Sequence, residues 1–478
     1  MMNLKPVLFW RHFEELSKIP RGSGNEAAAG EYVKSVAKAC GHAFKQDKVG
    51  NVVVTVAASP GHADAPITVL QGHLDMVCEK NSNVVHDFLK DPIRPRVAGE
   101  FVTATGTSLG ADNGMGVAAC LSLMEDRDAV HGPLELLFTI DEETGLNGAF
   151  NLQPGFVKGR RMLNLDSEEE NVLCVGCAGG RDTLMRLKAQ REKAVPKKGV
   201  FRIDVRGLKG GHSGMEIHEQ RGNANLILTR FLKALSSVKG FRLIAFNGGS
   251  KRNAIPREAS ALITFKEEKT LKMEAKKWTA LLQAELGAAD PDLQIVVQAD
   301  KAPFAPFTES SGGKALNLFH ALPHGVLKMS QSIKGLVETS TNFAVVSTDK
   351  KGLDIATSQR SSSASQIDWA VGVVSALGRL AGAVVTPSSG YPGWNPNLDS
   401  PLVKIVKSTN ARFFGAEPQL KAIHAGLECG IIGEHYPGMD MISLGPRIEA
   451  VHSPDERVHI ASVERFYNLL KEILKDLA

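Results

Sequence analysis

The chain has 478 residues, of which 43% are apolar and 23% charged, and its formal net charge is +4. This length exceeds one ordinary core and points to two or three domains of a soluble globular protein. The small positive excess, the lack of a long basic run, an N-terminus without a leader-like apolar region and the absence of a membrane-length apolar stretch argue against nucleic-acid and membrane partners and for a cytoplasmic protein.

Residues 6–18 and 25–40 read as two amphipathic helices around an Arg21-Gly22-Ser23-Gly24 turn. Residues 49–57 are rich in β-branched side chains and predict a strand. The next apolar run, Val69-Leu70-Gln71-Gly72-His73-Leu74-Asp75, predicts a buried strand that delivers His73 and Asp75 at its carboxyl end. Residues 79–100 are polar and Pro-bearing and read as a surface loop. Thr107 to Gly116 holds the Gly and Asn of a tight turn and leads into an apolar helix over 117–124.

Residues 134–140 form a clean strand pattern that ends in Asp141-Glu142-Glu143, and 162–165 form another that ends in Asp166-Ser167-Glu168. The six cysteines read as reduced thiols. Cys174 and Cys177 form a C-x-x-C inside an apparent buried strand and have no second pair at zinc-ribbon spacing.

From about residue 180 the texture changes to half-exposed strands, with helix patterns at 222–237, 271–285 and 365–381, followed by a linker composition at 387–393. Strand and helix alternation then resumes, with a strand at 440–444, a loop bearing His452 and a helix from about 461. This predicts an α/β protein. Its catalytic domain, with a mixed, largely parallel sheet flanked by helices, covers 1–179 and 388–478, and an inserted α+β lid domain covers 180–387. Three domains in series is the alternative.

The strand-end groups His73, Asp75, Asp112, Glu142, Glu143, Asp166 and His452 suit zinc, cobalt or manganese. Two divalent ions carry +4, and three carboxylates with a bridging hydroxide carry −4, so a shared two-metal site would be neutral. One acid of the Glu142-Glu143 pair can bind metal while the other moves the proton of the attacking water, which is metal-assisted hydrolysis. A competing pattern is Gly106-Thr107-Ser108-Leu109-Gly110, a G-x-S-x-G in which Ser108 would be a serine hydrolase nucleophile.

Eight stretches together resemble the di-zinc aminoacylase, carboxypeptidase and dipeptidase family: QGHLDMV (71–77), SLGADNGMG (108–116), DEETG (141–145), NLDSEE (164–169), GGHSG (210–214), RNAIPREA (252–259), HAGLECG (424–430) and SLGPRIEAVHSPDE (443–456). The resemblance implies that His73 and Asp166 bind one metal, that Glu143 and His452 bind the other, and that Asp112 bridges them. It further implies that Asp75 orients His73 and that Glu142 is the general base. The implied cofactors are two divalent ions per chain, Zn2+ foremost, with Co2+ or Mn2+ as substitutes.

The implied substrate is an unblocked dipeptide, including Xaa-His and β-Ala-His, cleaved by a metal-bridging hydroxide. In the lid, His212 would stabilise the oxyanion, and Asn253 and Arg360 would hold the substrate carboxylate, although Arg360 also reads as a solvated strand end. Glu428 is a candidate for the substrate amino group. The lid is long enough for a second ferredoxin-like copy that would replace a partner's lid, so that His212 would act within its own chain; a homodimer is left open. A deacylase or aminotripeptidase on the same site, and a non-catalytic metal-binding relative, are the alternatives.

Overall fold

The computed structural model describes residues 4–478. The chain forms two compact units. The first contains residues up to Cys177 together with Trp394–Ala422 and Leu427–Ala478, and the second contains Ala178–Gly393 with the short return Ile423–Gly426.

The first unit is built on an eight-stranded mixed sheet. Its four central strands, in the order Leu134–Thr139, Thr68–His73, Arg161–Asn164 and Asp440–Ser443, are mutually parallel, whereas the flanking pairings with known register are antiparallel. Every residue of Thr68–His73 and Leu134–Thr139 is buried, as expected for parallel strands covered on both faces. The helix Val7–Ser17 presents Phe9, Trp10, Phe13 and Leu16 inward at helical spacing, and Phe9 meets Phe466 and Tyr467 of the C-terminal helix Ile460–Asp476 edge to face. The parallel strands all end on one side, and His73, Asp141 to Glu143, Asp166 and the loop after Ser443 lie at those ends. Open α/β sheets carry their ligand sites in this position.

The second unit contains two βαββαβ repeats in one nine-stranded sheet. The first repeat uses strands Val200–Arg206, Arg242–Gly248, Ala259–Thr264 and Gln294–Ala299, with helices Ala224–Leu235 and Glu268–Leu286. In spatial order its strands run fourth, first, third, second, and neighbours pair antiparallel. This is the ferredoxin-like arrangement.

The second repeat uses Gly179–Lys188, Val337–Thr348, Gly352–Ser361 and Val384–Pro387, with helices Glu309–Ala321 and Ala364–Leu380, and runs second, third, first, fourth. The copies adjoin through their second strands, where Gly248 pairs with Val346. They are not consecutive in sequence. The first repeat is inserted between the first strand and first helix of the second.

Each unit buries a neutral histidine. His12 is 1% exposed, with Nδ1 2.8 Å from the Tyr32 hydroxyl; burial, opposed by Glu125, brings its pKa down to about 4. His424 is also buried, with Nε2 2.7 Å from Ser340 Oγ; burial, aided by the Arg360 charge, brings it down to about 3. Both rings titrate near 6.5 when unfolded, so between those values the unfolded chain binds more protons. The stability they contribute is present above about pH 6.5 and is lost as pH falls through their folded values. Relative to wild type, His424→Asn should therefore gain in thermal unfolding midpoint as the pH falls from 7 to 4.5. A difference between the two chains that stays constant across that range contradicts this account.

Candidate metal centre

His73 closes the strand Thr68–His73 and is 1% exposed. Its Nε2 lies 3.1 Å from Asp112 Oδ1 and 3.2 Å from Asp166 Oδ1. His452 stands on the loop before the last helix in a left-handed conformation, with φ 59°. Its Nε2 lies 3.2 Å from Asp112 Oδ2 and 3.1 Å from Glu143 Oε2. Asp112 thus offers one carboxylate oxygen to each histidine. Two donor groups follow, His73, Asp112 and Asp166, and Asp112, Glu143 and His452, each compact enough for one cation.

Asp75 is fully buried and organises the adjoining turn. Its Oδ1 accepts from the Glu142 backbone N–H at 3.1 Å, and its Oδ2 from the Glu143 N–H at 3.1 Å and from Ser23 Oγ at 2.7 Å. His73 Nδ1 is 3.3 Å from Asp75 Oδ1, near enough for ionic attraction but without an aligned hydrogen bond. One carboxylate therefore faces His73 on one side and holds both glutamate backbones on the other.

The groups of the centre shift one another's proton affinities. Burial works against the charged form of Asp75, but His73, Ser23 and the Glu142 N–H outweigh it and hold Asp75 down to about 2. Burial likewise opposes charge on His73, and Asp166, Asp112 and Asp75 overcome it and push the imidazole well above its ordinary value. Bonds to Asp112 and Glu143 carry His452 up to about 11. Burial raises Asp166 to about 7, despite the attraction of His73 and with the repulsion of Asp112 adding to it. Burial raises Glu142 well above the carboxylate range; His73 opposes the shift, and Asp166, Glu428 and Glu143 reinforce it.

The donor set passes a direct test of fit to divalent cations. Glu143 Oε1 and Asp166 Oδ1 are buried acceptors without a formed hydrogen bond, and imidazoles with carboxylates suit zinc, cobalt or manganese.

The remaining expected residues fall in different places. Glu428 is 0% exposed, and its Oε2 accepts from Gln71 Nε2 at 2.6 Å and Thr139 Oγ1 at 2.7 Å. It lies in the buried layer beneath the centre, closed off from solvent, so the expectation that it faces a substrate amino group does not match its position. Ser108 is 1% exposed and donates to the Val77 carbonyl at 2.6 Å while accepting from the Glu79 N–H at 3.2 Å. No histidine bonds to it. Its hydroxyl ties two loops together, which removes the nucleophile reading of G-x-S-x-G.

In the second unit Arg360 is not a solvated strand end. It is 7% exposed and donates from NH1 to the Tyr391 hydroxyl at 2.9 Å, while its Nε is buried without a partner. His212 Nδ1 accepts from the Met215 and Gly214 backbone N–H groups at 3.0 and 3.3 Å, which leaves the ring proton on Nε2. Burial and the Arg360 charge lower its pKa, so the ring is a neutral donor. Asn253 is exposed, and its carbonyl accepts from the Ser213 N–H at 2.8 Å.

Sequence reasoning missed Arg21 and Glu456. Glu456 closes the SLGPRIEAVHSPDE stretch, so the signal was present but had no role attached. Arg21 was read only as part of a turn.

The model of the peptidase family M20/M25/M40 matches residues 69–476. The chain belongs to that family. It is 42% identical to the cytosol non-specific dipeptidase of Escherichia coli (strain K12), over 100% of this chain and 99% of that protein. Its structure resembles the crystal structure of aminoacylhistidine dipeptidase from Vibrio alginolyticus, with a TM-score of 0.90 and 40% identity over 99% and 97% of the two chains. A tripeptidase from Staphylococcus aureus shares the fold at a TM-score of 0.58 and 17% identity, covering 99% of each chain. The chain is thus a hydrolase of the M20 peptidases, a metallopeptidase with candidate metal-binding groups at the strand ends.

Two outcomes check the displacement of Ser108 from the chemistry. Ser108→Ala should retain most of the peptidase turnover, and a fluorophosphonate probe should leave the wild-type chain unlabelled. Labelling that disappears in Ser108→Ala would restore the nucleophile reading.

Proposed function

We propose that this M20 peptidase is a dipeptidase that uses two divalent cations per chain, zinc foremost, with cobalt or manganese able to substitute. His73 and Asp166 would hold one, Glu143 and His452 the other, and Asp112 would contribute to both. The observation that carries the proposal is the pair of Asp112 oxygens, each turned to a different histidine. Bound there, two divalent cations supply Lewis acidity and bring the pKa of a water toward 7.

Glu142 is the general base. Its backbone is fixed by Asp75 beside the donor groups, where its carboxylate can take the proton of the attacking water. The water oxygen bonds to the scissile carbonyl carbon. As the carbon–nitrogen bond breaks, Glu142 returns the proton to the leaving amine. His212 carries its proton on Nε2 and is neutral, so it can donate to the carbonyl oxygen as negative charge develops. Arg360 and Asn253 take the substrate carboxylate, for which a guanidinium fork is suited.

The substrate class is unblocked dipeptides, with Xaa-His and β-Ala-His among them. The names of the Escherichia coli and Vibrio alginolyticus relatives support dipeptides and aminoacyl-histidine substrates, and the former supports a cytoplasmic location. Among the described residues no helix is long and apolar enough to cross a membrane. The second unit serves as the lid, its doubled repeat standing in for a partner's copy. A homodimer remains compatible with this reading.

A panel of dipeptides, tripeptides and N-acyl amino acids, assayed with and without a chelator, tests the proposal. Dipeptides should be cleaved, chelation should abolish turnover, and zinc, cobalt or manganese should restore it. Full activity after exhaustive chelation defeats the mechanism, and preference for tripeptides or N-acyl amino acids defeats the substrate class.

Glu142→Ala should keep its metal and lose turnover by about 100-fold or more, the scale of a lost general base. Loss of metal instead would exchange the roles of Glu142 and Glu143.

A further inference from the structure

Glu456 is 2% exposed and sits four positions after His452 on the same loop. Its carboxylate accepts four consecutive backbone N–H groups. Oε2 takes those of Leu109 at 2.7 Å and Gly110 at 2.9 Å, and Oε1 takes those of Ala111 at 2.8 Å and Asp112 at 3.2 Å. These are donors at the start of the helix Ala111–Glu125, which has no side-chain cap of its own. A negative charge there meets both the unpaired N–H groups and the positive end of the helix.

Arg21 holds the same loop from its carbonyl side. It is 3% exposed and donates from NH1 to the Leu74 and Asp75 carbonyls at 2.9 and 2.8 Å, and from NH2 to the Gly110 carbonyl at 2.5 Å. Gly110 is therefore gripped at its N–H by Glu456 and at its C=O by Arg21. The local sequence makes room for this. A Cβ at Gly110 would lie 2.7 Å from Arg21 NH2, and one at Gly114 would lie 2.8 Å from it. Gly110 also has a φ of 70°, which L side chains rarely adopt.

We infer that Arg21 and Glu456 are positioning residues of the metal centre, and that Glu456 sets the affinity of both cation positions by fixing the backbone of Asp112. The inference rests on the two-cation reading above. Arg21 ties the 73–75 segment to the 109–112 loop, and Glu456 ties that loop to the one carrying His452. The C-terminal loop thus meets Asp112 twice, through the His452 ring at its side chain and through Glu456 at its N–H. Because each Asp112 oxygen serves a different donor group, loosening its backbone weakens both cation positions together.

Metal-free full-length protein titrated with Co2+ tests this, with visible absorption reporting the ligand set at each step. Wild type should take up two equivalents. Glu456→Gln turns an amide nitrogen toward backbone N–H donors and should weaken both steps by about ten-fold or more, the usual scale for groups that orient metal ligands.

Glu135→Gln is the control. Glu135 is also buried, and its Oε2 accepts from the Lys158 and Gly159 N–H groups at 2.7 and 2.9 Å, but it lies at the other end of its strand from Glu142. It should lower the unfolding temperature and leave cobalt affinity unchanged.

If wild type binds fewer than two equivalents, the two-cation reading falls. If wild type binds two and Glu456→Gln matches it, or loses only one step, or loses no more than Glu135→Gln does, the positioning inference falls. Should Glu456→Gln fail to fold, Arg21→Lys keeps the charge but cannot reach three carbonyls at once. Wild-type affinity at both steps in that variant overturns the inference.

Discussion

The centre depends on one carboxylate divided between two partners. Asp112 gives Oδ1 to His73 and Oδ2 to His452, residues separated by most of the chain. A carboxylate can do this only if its backbone is fixed more tightly than its own side chain requires. The surrounding architecture supplies that restraint, since the parallel strands end on one side and the turns that follow them converge. His73 and Asp166 need only the strand ends. Asp112 needs a turn built for it, and this explains the density of glycine and of buried polar contacts in 108–116.

Asp75 answers a related problem. The proposed function gives two adjacent glutamates different tasks, and side-chain packing in a short turn does not provide that. Asp75 instead binds both backbones and, through His73, links the turn to the neighbouring strand. Beneath it, Gln71, Thr139, Asn164 and Glu428 form a closed hydrogen-bonded layer. Burial raises Glu428 to about 7, above the ordinary carboxylate range.

Much of this was legible in the sequence because apolar runs that stop abruptly at His or acid residues mark strand ends whatever the fold. His73, Glu142, Glu143 and Asp166 each announce themselves in this way. His452 lies on a loop without a periodic pattern; its place after the 440–444 strand groups it with the others, and the family resemblance adds the ligand role. The burial of Glu428 and Arg360 was not legible, because burial of a polar side chain depends on distant neighbours such as Thr139 or Tyr391. Arg21 acts through three backbone carbonyls, which leave no trace in side-chain patterns. The return of residues 423–426 to the second unit was equally invisible, since four residues are too few to carry a periodicity.

The nested repeats bear on how the chain emerges from the ribosome. The strand Gly179–Lys188 is made early, yet its register partners are Gly352–Ser361 and Val384–Pro387, the first of which begins with Lys188 opposite Gly352. The whole inserted repeat, residues 200–299, can close on itself while that strand waits. Long-range pairing of this kind is slow and leaves an open edge exposed to wrong partners. Arg181, Asp182, Arg186 and Lys188 line the waiting strand with charge, a composition that discourages edge-to-edge association until its proper neighbours are synthesised.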